Sequence, residues 1–360
     1  MKKVPIQVAL VGAGSIARRH AALLSSEFLP GLSLAGVYDT RRESAEALVV
    51  AHGGRVYETI EDLAGDPAVG LIAILTPSGT HASLVSRLAG FGKPLVVEKP
   101  MALRLEDADE IIRDCDRHGV RLFVVKQNRF NPPVRQLRRA IDSGRFGKLV
   151  LGTVRLRWCR EQAYYDQASW RGTWEHDGGV LTNQASHHID LLLWMMGEVE
   201  SVFAMATTAL VDIEAEDTAV VTLRFRSGAL GVIEATTATR PKDLEGSISI
   251  LGEKGAVEIG GFAANRMKTW QFADSQPDDE TVFADDGVVS SHPLKAYAHE
   301  QFYRHVVDCL ETGRQQLIDG LEGRRSLEVI SAIYESIETG REVYLRFKPR
   351  QCRLGHKKGE

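Results

Sequence analysis

A glycine-rich turn near the start of the chain limits the fold more than any other feature. The turn, Gly12–Ala17, follows the apolar run Gln7–Val11 and opens a segment with helical periodicity. Gly12 permits a tight turn, Gly14 lets another group approach the backbone, and Ala17 lets the helix pack close to the strand. This pattern predicts a β-α-β unit in which the helix N-terminus can hold an anion.

Short apolar runs alternate with helix-like segments over about the first 125 residues. The predicted strands are Gln7–Val11, Leu32–Tyr38, Val69–Leu75, Pro94–Val97 and Arg121–Val125. The predicted helices are Ser15–Glu27, Arg42–Ala51, Thr80–Ala89 and Glu106–Arg117. We therefore expect an α/β protein whose N-terminal domain is a doubly wound parallel sheet.

Beyond Asn128 the sequence pattern changes. Longer segments follow in which apolar and polar residues alternate, as in strands, and some of them are joined by turns such as Ser227-Gly228. This pattern predicts a C-terminal α+β domain with an open, mostly antiparallel sheet. The expected domains are 1–126, 127–347 and a basic tail over 348–360. An open sheet face also predicts a homo-oligomer, either a dimer or a tetramer.

Net charge, cysteine spacing and the length of apolar runs limit which partners and which cellular compartment we expect. The formal net charge of −4 argues against a nucleic-acid partner. The four cysteines are dispersed, which disfavours a disulfide framework or a zinc site and indicates a reducing cytoplasm. No apolar run approaches the roughly 18 residues of a membrane helix, so we expect no membrane span.

A carboxylate at the end of the second predicted strand indicates which dinucleotide binds. Asp39 is placed to accept hydrogen bonds from ribose hydroxyls, which favours NAD. Arg41 and Arg42 leave NADP open, because an arginine there could hold a 2′-phosphate. The residues expected at the dinucleotide on these grounds are Gly12, Gly14, Ser15, Ile16, Asp39, Thr76, Ser78 and His81. The last three follow a strand end, although Ser78 or Thr80 could instead cap a helix.

Two basic side chains are candidates for catalysis. Lys99, within Glu98-Lys99-Pro100, could stabilise an oxyanion at a strand end, or could be a surface lysine paired with Glu98. His187 could take a hydroxyl proton near neutral pH, or could be a metal ligand or a core histidine.

The segment around His187 is predicted to be one helix, Val180–Met196. A helix would place Asn183, His187, Asp190 and Trp194 on one face. Asp190 could fix the tautomer of His187 or pair locally. The adjacent His188 would point about 100° away from His187, so metal binding is the weaker alternative and no metal is expected.

An arginine cluster follows the last Rossmann strand. Arg129, Asn131 and Arg157 could grip an anionic substrate, or could decorate a sheet face.

Together these motifs resemble the glucose–fructose oxidoreductase / inositol dehydrogenase / rhizopine catabolism (Gfo/Idh/MocA) family. The motifs are the opening Gly12–Ala17, Thr76-Pro77 with His81, Glu98-Lys99-Pro100, and Gly178-Gly179 with Asn183, His187 and Asp190. The resemblance implies hydride transfer between a nicotinamide cofactor and a sugar or cyclitol carbon, with Lys99 and His187 as the catalytic pair. Members often carry Asp where this chain has Asn183, which is therefore a third catalytic candidate.

Within that family the chain is most similar to the UDP-N-acetylglucosaminuronate 3-dehydrogenases. The segments that carry this similarity are Phe123–Arg129, Tyr164–Asp166, Trp170–Trp174 and Asn183–His187. It implies oxidation of the C3 hydroxyl of UDP-2-acetamido-2-deoxy-D-glucuronate during synthesis of surface polysaccharide, such as the O-antigen of lipopolysaccharide. The further cofactor contacts that we expect are Glu98, Lys99, Gln127, Trp170 and Arg171, and the expected substrate contacts are Lys99, Arg129, Asn131, Arg157, Asn183 and His187. Trp170 and Arg171 could instead reach a neighbouring subunit.

Two other functions are compatible with the sequence. The chain could be a dehydrogenase of the same family that acts on a free sugar or a cyclitol, for which an arginine cluster is unnecessary. It could also be a non-catalytic NAD(H)-binding regulator, although a regulator would need neither Lys99 nor His187.

Overall fold

The computed structural model describes residues 4–283, 292, 293, 296–345 and 354. The chain forms two compact units, Met1–Gln127 with His292–Arg324, and Asn128–Ser291 with Arg325–Glu360. The predicted division instead placed 292–324 in a continuous second domain. Those residues group with the first unit because they pack against it, as in the hydrogen bond from Val124 N to Ile318 O. Of the predicted basic tail, 348–360, only Leu354 lies within the described residues, and it is buried.

Strands and helices alternate in the first unit and separate in the second. The strands are β1 Ile6–Val11, β2 Leu32–Tyr38, β3 Arg55–Val56, β4 Leu71–Ile74, β5 Leu95–Val97, β6 Leu122–Val124, β7 Leu149–Arg157, β8 Val199–Thr207, β9 Thr218–Phe225, β10 Leu230–Thr236, β11 Glu245–Gly252, β12 Gly255–Gly260, β13 Arg266–Phe272 and β14 Val343–Tyr344. The helices are α1 Ser15–Leu24, α2 Arg42–His52, α3 Ile60–Gly65, α4 His81–Ala89, α5 Leu105–Arg117, α6 Pro132–Asp142, α7 Gln162–Tyr165, α8 Ser186–Met196, α9 Tyr297–Thr312 and α10 Gly320–Thr339.

The first unit is built on a parallel sheet of six strands in the order β3-β2-β1-β4-β5-β6. Every residue of β4, β5 and β6 is buried, as expected for strands covered by helices on both faces. The strand order reverses between β1 and β4, and doubly wound sheets bind ligands at the carboxyl ends of the strands at such a point. The predicted Rossmann architecture is confirmed.

The second unit contains a sheet of eight strands in the order β13-β12-β11-β7-β10-β9-β8-β14. All neighbours pair antiparallel except β7 and β10, so the predicted open, mostly antiparallel sheet is confirmed. Helix α8 packs closely on β7, since a Cβ at Gly152 would lie 2.7 Å from side-chain atoms of Leu192 and Met196. This packing fixes the helix that carries His187.

Within the described residues, no helix combines the length and the apolar character needed to cross a membrane.

Candidate active site

The glycine turn of the first unit requires glycine at its first position, Gly12. Gly12 has a φ of +102°, and a Cβ there would lie 2.9 Å from the carbonyl oxygen of Leu75. A Cβ on Gly14 would meet nothing within 4 Å, so space is open above its backbone. Helix α1 begins at Ser15 with no side-chain cap and no acidic residue in its first turn. Its first amides, including those of Ser15 and Ile16, therefore suit the pyrophosphate of a dinucleotide.

Asp39 is braced where β2 ends. One carboxylate oxygen accepts a 2.7 Å hydrogen bond from Ala13 N inside the glycine turn. The other accepts a 2.8 Å hydrogen bond from Arg41 N. Arg42 pairs on the surface with Glu46 and Glu58. The predicted ribose-binding carboxylate is thus held against the turn that suits the phosphates.

His81 connects the Thr76–Thr80 loop to the segment that contains Lys99. Its buried ring nitrogens lie 2.8 Å from Pro100 O and 2.9 Å from Thr76 O. Burial lowers the pKa of His81. Helix α4 has no side-chain cap, and the Thr80 hydroxyl donates to Thr76 Oγ1 instead, so the alternative of helix capping is wrong.

Glu98 is buried and supports the backbone of Lys99. Its Oε2 accepts a 3.1 Å hydrogen bond from Lys99 N, and its Oε1 lies 3.1 Å from His20 Nε2. The other ring nitrogen of His20, Nδ1, lies 2.6 Å from the hydroxyl of Tyr303. Burial alone would raise the pKa of Glu98, but the hydrogen bond and charge of His20 outweigh it and hold that pKa at about 2. The carboxylate beside Lys99 is therefore ionised at neutral pH.

Sequence reasoning missed His20 and Tyr303. A signal for His20 exists, because Ala17, His20 and Leu24 recur at helical spacing and all three are buried. A histidine on the buried face of a helix needs polar partners, and Glu98 supplies one. His20, Glu98 and His299 also offer three ligand atoms within 4.8 Å of one another, although both ring nitrogens of His20 already have partners. The absence of a metal stays a prediction.

The helix that carries His187 starts later than predicted. Residues 181–185 form turns, and α8 begins at Ser186, so Asn183 lies before the helix and not on its face. Ala185 N donates a 2.7 Å hydrogen bond to Val180 O, five residues back, so the i to i−4 pattern of an α-helix is not established before Ser186. Val180 N donates to Glu216 O, and Leu181 N donates to Glu216 Oε1, each at 2.9 Å. His187 lies in the first turn of α8 and is half-buried.

Asn183 is oriented by a buried carboxylate. Its Nδ2 donates to Asp177 Oδ1, and Asp177 Oδ2 accepts a 2.9 Å hydrogen bond from Gly172 N. Because the amide nitrogen faces Asp177, the amide oxygen lies on the other side of the planar group. A substrate contact of Asn183 stays a prediction.

Arg129 lies inside the second unit. It is 2% exposed, and its Nε and Nη2 each donate a 2.8 Å hydrogen bond to a carboxylate oxygen of Asp190. The guanidinium carbon lies 4.9 Å from the ring centroid of Trp194. Asp190 thus forms a buried ion pair with Arg129, which is 61 residues away in sequence, whereas the foreseen pairing was local. That Asp190 fixes the tautomer of His187 stays a prediction. A substrate contact of Arg129 stays a prediction.

The other predicted substrate and cofactor residues of the second unit also have protein partners. Asn131 is buried and donates a 2.9 Å hydrogen bond to Ala263 O. Arg157 holds both oxygens of Glu234 at 2.6 and 2.7 Å, and it lies on the open sheet face. Arg171 lies over the rings of Tyr164 and Trp170, 4.3 and 4.8 Å from their centroids. Gln127, the last residue of the first segment of the first unit, opens a short 3₁₀ helix, Gln127–Phe130. The binding roles of these residues stay predictions.

Family models match nearly the whole chain. Residues 6–126 match the oxidoreductase family NAD-binding Rossmann fold, and residues 138–345 match the oxidoreductase family C-terminal alpha/beta domain. Among curated proteins, the myo-inositol 2-dehydrogenase of Thermotoga maritima is 29% identical, over 94% of this chain and 98% of its own length.

Two solved structures are more similar. The WlbA dehydrogenase from Bordetella pertussis, in complex with NADH and UDP-GlcNAcA, is 41% identical with a TM-score of 0.91, covering 96% of this chain and 99% of that one. The WlbA dehydrogenase from Chromobacterium violaceum, with the same two ligands, is 39% identical with a TM-score of 0.88, covering 96% and 97%. The chain therefore belongs to the Gfo/Idh/MocA oxidoreductase family, with an NAD-binding Rossmann domain and a C-terminal alpha/beta domain.

Proposed function

We propose that this protein is an NAD-dependent dehydrogenase that oxidises the C3 hydroxyl of UDP-2-acetamido-2-deoxy-D-glucuronate to the 3-keto sugar. The observation that carries the proposal is the likeness to the Bordetella pertussis enzyme, which holds NADH and UDP-GlcNAcA at 41% identity over 96% of this chain. The glycine turn and the braced Asp39 support NAD as the cofactor.

The side chains divide the reaction between a base and a cation. NAD, held by the Gly12–Ala17 turn and Asp39, would supply the acceptor for the hydride of the carbinol carbon. His187 takes the hydroxyl proton, because an imidazole titrates closest to neutrality. Lys99 stabilises the oxygen as negative charge develops on it. The ionised Glu98 complements the charge of Lys99 and holds its backbone amide.

A free cyclitol is the competing substrate, because the Thermotoga maritima relative is a myo-inositol 2-dehydrogenase. That relative is 29% identical, compared with 41% for the Bordetella pertussis enzyme, so the nucleotide sugar is favoured. The arginines do not decide between them, since Arg129 pairs with Asp190 and Arg157 pairs with Glu234.

The decisive experiment measures single-turnover formation of reduced nicotinamide with the UDP-sugar and, in parallel, with myo-inositol. We expect turnover with the UDP-sugar. Lys99→Met and His187→Asn should each lower the rate by roughly 10²–10⁴. The double variant should be far less impaired than the product of the two losses, because partners in one step are not additive.

Lys93→Met is the matched control, since Lys93 lies just before β5 and Lys99 just after it, and Lys93 contacts the carbonyl of Asp66. It should leave the rate unchanged. Near-normal rates in both Lys99→Met and His187→Asn would contradict the mechanism. Turnover with myo-inositol and none with the UDP-sugar would contradict the substrate.

We further propose a cytoplasmic homo-oligomer, a dimer or a tetramer, that works in the synthesis of surface polysaccharide such as the O-antigen of lipopolysaccharide. Three cysteines, Cys115, Cys159 and Cys309, are free thiols, which supports a reducing compartment. The open sheet face supports self-association.

A further inference from the structure

Glu216 lies beneath the segment that carries Asn183 and His187. Its side chain is 5% exposed. Its carbonyl oxygen accepts from Val180 N and its Oε1 accepts from Leu181 N, each at 2.9 Å. Glu216 thus holds two consecutive amides at the start of residues 179–187.

Tyr334 joins Glu216 to the same segment. Its hydroxyl donates a 3.0 Å hydrogen bond to Glu216 Oε1 and lies 2.9 Å from Thr182 Oγ1. Gly179 packs directly on Glu216, because a Cβ at Gly179 would overlap both the carbonyl and the carboxyl group of Glu216. The conformation of the segment therefore depends on the position of this one side chain.

The surroundings favour the uncharged form of Glu216. Its Oε2 is buried, and no described residue gives it a hydrogen-bond partner. A buried carboxylate charge with one unpartnered oxygen costs more free energy than the neutral acid at the same place, because the charge loses its solvation. Burial raises the pKa of Glu216 to about 7, with a smaller contribution from the charge of Asp177, and the hydrogen bonds from Leu181 N and Tyr334 oppose the rise.

We propose that Glu216 is a positioning residue for the dehydrogenase reaction, which rests on the function proposed above. Its uncharged carboxyl group holds residues 179–187 in the conformation that presents Asn183 and His187, and its ionisation loosens that segment. Glu216 acts through the backbone of its neighbours and needs no contact with the substrate.

Among the described residues, two other titratable groups face Glu216 from the elements around it. They are Asp177, in the turns before α8, and Tyr334, on α10. Its chain neighbours bond elsewhere: Glu214 Oε2 accepts from Trp174 N at 3.1 Å, and Asp217 Oδ2 accepts from Leu210 N at 2.8 Å.

The sign of the pH effect follows from the direction of the shift. The pKa is raised from 4.5 to about 7, so the stability contributed by the neutral form is present below pH 4.5 and is lost as the pH rises through about 7. The proposed role of His187 gives the opposite pH dependence. A general base must be unprotonated, so the activity that depends on His187 rises with pH.

The first measurement is hydrogen exchange of peptides covering residues 179–187, in wild type, Glu216→Gln, Glu216→Ala and Glu214→Gln. Exchange is corrected for its intrinsic pH dependence and compared at about pH 6 and about pH 9, on either side of the titration of Glu216. We expect exchange to speed up with pH in wild type and in Glu214→Gln, the matched control on the same loop. Glu216→Gln should lack the part of this response that depends on Glu216, and Glu216→Ala should exchange faster at both pH values.

The second measurement is kcat over the same range. The ratio of kcat for Glu216→Gln to kcat for wild type should rise by about fivefold or more from pH 6 to pH 9, while the dissociation constant of NAD stays the same in both proteins. At the lower pH, Glu216→Gln should recover most of the kcat that Glu216→Ala loses, because its amide can still accept from Leu181 N.

Hydrogen exchange is measured without substrate. A wrong proposed function can therefore be distinguished from a wrong positioning role of Glu216. The expected exchange pattern without turnover of the UDP-sugar would support the positioning role and contradict the proposed substrate. Equal exchange in wild type and Glu216→Gln at both pH values would overturn the positioning role. A kcat ratio that does not change with pH would also overturn it. If Glu216→Ala does not fold, the comparison of wild type with Glu216→Gln still decides.

Discussion

Asp39 combines two tasks at the scale of a single residue. Its carboxylate accepts from Ala13 N and Arg41 N, and it is also the group expected to accept from the ribose hydroxyls. Asp39→Ala should therefore weaken NAD binding by roughly 1–3 kcal/mol and reduce the preference for NAD over NADP. The measurement is the ratio of the two dissociation constants.

Asp66→Ala is the matched control for Asp39. Asp66 also accepts from an amide two residues along the chain, at Ala68, but it follows α3 and not the glycine turn. It should leave the ratio of dissociation constants unchanged. An unchanged ratio in Asp39→Ala would mean that Asp39 does not select the cofactor.

Arg129 and Asp190 form a buried ion pair whose halves depend on each other. Removing one partner of such a pair leaves an uncompensated buried charge, at a cost of about 3–5 kcal/mol. Arg129→Met and Asp190→Asn should each lower the free energy of unfolding by about that amount, as measured by denaturant unfolding. The double variant Arg129→Met/Asp190→Leu should recover a large part of the loss, because no unpaired charge remains.

The exposed pair Arg42–Glu46 is the control for this cycle, since each side chain is about half exposed. Arg42→Met should change stability by less than about 1 kcal/mol. A single Arg129→Met variant as stable as wild type would show that the ion pair contributes little. If that variant is stable but fails to bind the UDP-sugar, the predicted substrate contact of Arg129 is supported instead.

At the scale of elements, local sequence patterns predicted the strands and helices that are bounded by turn residues. The buried strands β1, β2, β4, β5 and β6 follow apolar runs bounded by turns, and α4 and α5 end at the predicted residues, Ala89 and Arg117. The short β3 and α3 were missed, as were the long strands β8 and β13. Strand β13 was missed because its burial does not alternate cleanly: the middle of Arg266–Phe272 has two half-buried residues in succession.

The start of α8 could not be predicted from periodicity alone. Residues 180–196 have helical periodicity, but Ala185 N bonds to Val180 O, five residues back, and the α-helical pattern begins only at Ser186. The residues of the candidate site also divide into those that local sequence identifies and those that only the fold identifies. Gly12, Asp39 and Lys99 stand in recognisable motifs, whereas Glu216 is an acidic residue before a strand, and only its burial in the folded chain gives it a role.

At the scale of the whole molecule, the outer face of the eight-stranded sheet is unusual for a surface. We use the name open face for the outward side chains of β7 to β11. Among them, Met205, Phe203, Val220, Leu230 and Leu251 are each at least 40% exposed. The pairing places Met205 opposite Val220 on the neighbouring strand. A contiguous apolar patch of this kind is typical of an interface between subunits.

The charged side chains of the open face are also compatible with an interface between subunits. Arg155 and Arg157 alternate with outward glutamates, and Arg157 pairs with both Glu234 and Glu245. The side chains of Arg157 and Glu234 are each about one-third exposed in the single chain, so this pair contributes little to its stability. They satisfy each other's charge, which lets the surrounding face be covered without burying an unpaired ion.

Met205→Glu/Val220→Glu should therefore prevent self-association. The two carboxylates would stand opposite each other on neighbouring strands, and covering them in an interface would cost several kcal/mol. We expect wild type to sediment as a dimer or a tetramer and the double variant to sediment as a monomer that still binds NAD. Val50→Glu is the control, because Val50 is 88% exposed on α2 of the first unit and should leave assembly unchanged. A double variant that sediments with wild type, or a monomeric wild type, would exclude the open face as the subunit interface, and the exposed apolar side chains would then require a different partner.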